Sequence, residues 1–117
     1  MRQRGSVSII VAASLLFMAL FAALAADVAR ASAAVARAQT AADAAALAAA
    51  QELVVPSADH PADVAREYAE KHAARLIACE CELGSDEVVV TVEVEITLPF
   101  VGGTRRVIRQ ARAVVGA

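Results

Sequence analysis

Residues 38–53 read AQTAADAAALAAAQEL, and nine of these sixteen residues are alanine. Alanine is the strongest helix former, and no Pro or Gly stands between Gly5 and Pro56. The stretch therefore reads as the far end of one long helix, about Ser6 to Leu53. Its blandness has three possible meanings: low-complexity filler, the tail of a secretion signal, or a helix face made for close packing. Spacing favours the third. Val28 and Val35, continued by Ala42 and Ala49, recur every seven residues, and Leu53 extends the stripe. Arg30, Arg37, Thr40, Asp43 and Gln51 sit mostly away from it. Val28, Val35, Ala42 and Ala49 are accordingly expected to form a narrow seam on which another helix can approach closely. The plainer alternative is a solvated alanine helix.

Upstream, Ser6 to Ala26 is a run of 21 residues without a charge, SVSIIVAASLLFMALFAALAA. As a helix it would span roughly 31 Å, enough to cross a hydrocarbon core of about 30 Å. Arg2 and Arg4 precede it, and the first acid is Asp27. The positive-inside rule then puts the N-terminus in the cytoplasm and everything after Asp27 outside. The rival reading is a cleavable secretory signal, cut between Ala25 and Ala26 after the small-x-small run Ala23-Leu24-Ala25. The apolar run exceeds the length usual for such a signal, and the helical pattern continues through the candidate site. Within the run, Ser8/Ala12, Ala19/Ala23 and Ala22/Ala26 repeat the small-xxx-small spacing that lets helices approach in a bilayer.

Downstream, Pro56 and Pro61 punctuate VVPSADHPAD. A second helix over about 61–78 is expected, with Asp59 or His60 as cap. Its apolar stripe would be Val64, Tyr68, His72 and Leu76, joined by Ala65, Ala69 and Ile77. The period then changes from helical to two. Strands are expected over about 77–83, with Ile77, Cys79, Cys81 and Leu83 inward, over 87–98, and over 104–115. VVVTVEVEITL gives the clearest alternation, with valines on one face and Glu93 and Glu95 on the other. Arg105, Arg106, Arg109 and Arg112 should face those acids across a hairpin. The expected fold class is α+β: a long N-terminal membrane-spanning helix, a short second helix and a three-stranded antiparallel sheet. Its parts are a basic leader (1–5), the span (6–26), the helix continuation (27–55) and a small head (56–117).

The composition limits the chemistry. Apolar residues make up 59% of the 117, yet aromatics only 3%, and the net charge of -2 gives no support to nucleic-acid binding. Cys79 and Cys81 would lie on an exported strand. Their simplest reading is two small buried hydrophobes. A bridge to another chain, a link between the two, and a metal or redox role are the alternatives. A lone CxC lacks the further ligands of a zinc site. His72 reads as a packed histidine and His60 as a loop or cap residue. No catalytic constellation, cofactor site, metal site or small-molecule substrate is evident.

The N-terminal RQRGSVSIIVAASLLFMALF together with ARAQTAADAAALAAAQEL resembles the TadE/TadG-like proteins of the tight-adherence (Flp-type) pilus machinery over about residues 4–53. The head looks like that of the small actinobacterial TadE-like type. The resemblance implies a non-enzymatic, membrane-anchored pseudopilin-like or assembly component, with pilin-like or secretion-platform partners reached through the helix. It also implies a peptidase cut between Gly5 and Ser6. The pilin-type pattern has Glu at the fifth residue after the cut, where this chain has Ile10, and that departure points to an uncleaved anchor.

Overall fold

The computed structural model describes residues 2–55 and 59–115, with side chains from residue 4 onward. Met1, the side chain of Arg2 and the helix-ending Pro56 lie outside the described residues. The first helix, α1, is continuous over Arg2–Val54. At 1.5 Å per residue its 53 residues extend about 80 Å. That length sets the long dimension of the molecule, 82 × 26 × 16 Å.

After the connection come α2 (Pro61–Lys71) and three strands, β1 (Arg75–Glu80), β2 (Glu87–Thr97) and β3 (Thr104–Val114). The strands form one antiparallel sheet in the order β1-β2-β3. α1 packs against α2, β2 and β3, and α2 packs against β1. The head is thus two layers, a helical pair over one face of a three-stranded meander.

The alternation of β2 produces this layering. Val88, Val90, Val92 and Val94 point inward and are buried, and the first three are the largest fully buried side chains. Burying each contributes roughly 1.5–3 kcal/mol. Alanines 34, 38, 41, 42, 45, 46, 49 and 50 of α1, with Ala65 and Ala69 of α2, are buried in the same cluster. Helix separation is set by the side chains at the contact, toward about 8 Å when these are small. The alanines of α1 therefore form the floor of the head's own core.

The second helix ends sooner than its apolar pattern suggests. It stops at Lys71, and His72 is its C-cap. Ala73 takes a left-handed φ of 57°. The N–H of Ala74 donates to the Ala69 carbonyl and that of Ala73 to the Glu70 carbonyl. This is a Schellman termination with alanine where glycine is usual. Its buried stripe is Pro61, Ala65 and Ala69, while Tyr68 is 37% exposed. His60 is the N-cap through its backbone, with no side-chain cap bond. Ala73→Gly should relieve the left-handed strain and raise stability by about 1 kcal/mol, read as a higher urea midpoint.

The first strand also departs from expectation, covering 75–80 instead of 77–83. Leu76 pairs with Val92 and Cys79 with Val90, and the register shifts between Leu76 and Ala78. The extra residue at this bulge, Ile77, breaks the alternation, so that Leu76 takes the core side in its place, while Cys79 and Cys81 lie inward as expected. Leu76 and Cys79 pack on the core, while Ile77 and Leu83 are exposed.

The β2–β3 hairpin forms as expected, from Glu87↔Val114 to Thr97↔Thr104. Its charges divide between the two faces. On the outer face Arg106 reaches both Glu93 and Glu95, at 3.6 and 3.8 Å. Arg112 binds Glu87 at 2.6 Å, and Arg75 of β1 binds Glu93 at 2.9 Å. Arg105 and Arg109 instead pair with Ile96 and Val92 on the helix-side face, so they do not face the acids. Glu93 is itself buried between its two exposed arginine partners, while the Arg112–Glu87 and Arg106–Glu95 pairs are exposed on both sides and contribute at most about 1 kcal/mol each.

Candidate functional site

α1 presents two regions of opposite character. From Arg4 to Phe21 every residue is exposed, including Ile9, Ile10, Leu15, Leu16, Phe17, Met18 and Phe21. The helix is long and apolar enough to cross a membrane, and none of its most apolar window is covered by the head. Both bonds considered for processing, Gly5–Ser6 and Ala25–Ala26, lie within the unbroken helix. Nothing lies within 4 Å of the place a Cβ would occupy on Gly5.

Beyond Asp27 the head covers one side of α1, and this divides the anticipated seam. Ala42 and Ala49 are fully buried against the chain's own head, Val35 is half-buried, and Val28 is 65% exposed. The four positions do not form one free face. A straight helix drifts by about 20° per heptad relative to a seven-residue repeat, so the row rotates from the open side into the covered side. The small-residue pairs of the apolar region stay free down to Ala22, and only Ala23 and Ala26 are half-buried.

The junction between the two regions is Asp27. Its carboxylate is 3% exposed, although it is the first charge after the apolar run. Its Oδ2 accepts a hydrogen bond of 2.6 Å from the Val101 N–H, in the loop between β2 and β3. Its Oδ1 is buried without a partner in the structure. The loop closes on itself through Leu98 N–H to Gly103 O and Gly102 N–H to Leu98 O. Gly102 and Gly103 have φ of +90° and +86°, a conformation that favours glycine. Sequence reasoning identified this loop and treated Asp27 as a boundary, but it missed their bond. The one available signal was that Phe100 is the sole phenylalanine outside the apolar run.

Cys79 and Cys81 are joined as a disulfide, with Cα atoms 5.3 Å apart. The pair replaces the simplest sequence reading, two free thiols serving as small hydrophobes. The link becomes possible because β1 ends at Glu80, so Cys81 has left the extended strand geometry that holds such residues apart. His72 is a capping residue and no core histidine: its Nδ1–H donates to the Tyr68 carbonyl at 2.9 Å. Among the described residues no group of three or more His, Cys, Asp or Glu could hold a metal ion.

These features define a class, a small α+β head docked on the far half of a long helix whose near half is bare and apolar. Residues 5–52 match the family model described as putative Flp pilus-assembly TadE/G-like. Over that segment, less than half of the chain but nearly all of α1, the sequence is similar to that family, in line with the resemblance noted from its residues. No curated protein and no solved structure matches it significantly.

Proposed function

We propose that the protein is a non-enzymatic, single-pass membrane component of a Tad/Flp-type pilus or secretion system, with its N-terminus cytoplasmic and its head outside. It acts as a minor pseudopilin-like or assembly subunit through small-residue packing of α1 with partner helices. The observation that carries this reading is the bare apolar half of α1, uncovered by the head, within a segment that matches a pilus-assembly family. The partner surface is revised by the head's position. Ser8/Ala12, Ala19 and the open side of α1 around Ala33 are available, whereas Ala23 is half-buried and Ala42 and Ala49 are occupied. An unbroken helix through Ala25 and Ala26, tied to the head at Asp27, favours a retained anchor over release by signal peptidase.

The test places a photo-crosslinking residue at Ala12, Ala19 or Ala33 in the host cell, with N-terminal sequencing of the recovered protein. Crosslinks from these positions to pilin-like or platform subunits are expected, on a chain that retains its span. Sequencing distinguishes an intact Met1 from Ser6 after prepilin-type processing and Ala26 after signal cleavage. Recovery starting at Ala26, or crosslinks to none of these subunits, would refute the reading.

A further inference from the structure

The β2–β3 loop sits at the same level along α1 as the end of the apolar run. The Asp27–Val101 hydrogen bond joins residues 74 apart in sequence and fixes that level. Asp27 is the first charge after the run, and carrying a carboxylate to the bilayer centre costs about 2.5–3.5 kcal/mol. If α1 spans the membrane, Asp27 therefore stands at the outer boundary of the hydrocarbon, and the loop stands beside it.

At that level the loop presents apolar side chains outward. Phe100 is 61% and Val101 57% exposed. The remaining two phenylalanines, Phe17 and Phe21, belong to the apolar run itself. Ala23 and Ala26, the only half-buried positions of that run, share the helix side of Asp27 by their spacing. Basic groups lie close by. The Arg105 guanidinium rests against Gly103, where an added Cβ would come within 3.0 Å of its Nη1. Arg30 is exposed about one helical turn beyond Asp27. Exposed apolar side chains with basic residues on the water side are the arrangement that binds a lipid interface.

We propose that the Pro99-Phe100-Val101 tip is a second membrane contact, inserting into the outer interfacial layer beside the span while Arg105 and Arg30 meet lipid phosphates. This inference rests on the membrane-spanning reading above and adds to it. The head is then held to the bilayer surface at two points, the helix and the hairpin tip. Its long sheet stands upright between the tip and the β1–β2 turn at the opposite end.

The chain has no tryptophan, so a single introduced one reports its own surroundings. Phe100→Trp, Leu16→Trp and Leu83→Trp are made separately in the full chain. Each is reconstituted in vesicles of phosphatidylcholine and phosphatidylglycerol, with acyl chains brominated near the headgroup or near the bilayer centre. Phe100 and Leu83 are exposed, and circular dichroism checks that each variant keeps the fold. The expected result is a blue-shifted emission at position 100, quenched most by the shallow bromines. Position 16 should be quenched most by the deep ones, and position 83 by neither. Quenching at 16 with none at 100 would overturn the tip contact and leave the span intact. Equal quenching at 100 and 83 would also overturn it, since the head would then lie flat on the surface. Quenching at none of the three would overturn both the contact and the span.

Discussion

Ala45→Leu is expected to lower the unfolding free energy of the head by about 3 kcal/mol, whereas Ala33→Leu should change it by less than about 0.5 kcal/mol. Both residues lie on α1 and both are alanine, but Ala45 has no exposed surface and Ala33 is exposed. At position 45 three further carbons must enter a fully buried cluster in which α1 contributes only alanine methyl groups against the valines of β2. The sheet must retreat, or Val88, Val90 and Val92 must leave their rotamers. A loss of 3 kcal/mol is a large share of the 5–15 kcal/mol typical of a whole domain. Urea titration of the two variants measures the difference. The pair also separates the two roles of the alanines. Ala33→Leu should leave the head folded while weakening any helix–helix association on the open side. If Ala45→Leu were as stable as the parent, close packing of the head on α1 would be refuted.

The second large effect concerns the bare half of the helix. Leu15→Arg combined with Leu16→Arg should prevent stable membrane integration. Each arginine adds about 2.5–3.5 kcal/mol at the centre of a span and removes a leucine worth about 0.5 kcal/mol, for a combined cost of about 6–8 kcal/mol. Neither side chain touches the head, as both are more than 60% exposed. The head should therefore fold normally and appear in the soluble fraction after alkaline extraction, while the parent stays in the membrane. A parent chain that is itself extracted would exclude a spanning helix.

Much of this architecture is legible in the residues. A helix without Pro or Gly from Gly5 to Pro56 leaves little choice, and the alternation of β2 dictates a sheet with one buried face. The disagreements share a physical origin in features that have no local signature. Ala73 ends α2 in a left-handed conformation without the glycine that would announce it. One extra residue at Ile77 reverses the facing of β1 before the bulge but not at Cys79 after it, and no residue type there marks a bulge. The alanine helix is the hardest case, since a helix of one residue type shows no preferred side. Which alanines are buried is decided by where β2 lands, a contact between segments more than thirty residues apart. The Asp27–Val101 bond is hidden for the same reason, being polar, long-range and dependent on the backbone of a loop.

That bond, with the alanine floor, has a mechanical consequence. Because one uninterrupted helix serves both the apolar region and the head, the two cannot tilt independently. Val54 lies about 40 Å along the helix from Asp27. If the span leans by about 20°, an average inclination for such helices, the far end of the head swings sideways by about 14 Å. With α1 spanning a bilayer as proposed, the protein would act as a lever pivoting at the lipid surface, and a partner that gripped only the bare apolar half would reorient the whole head.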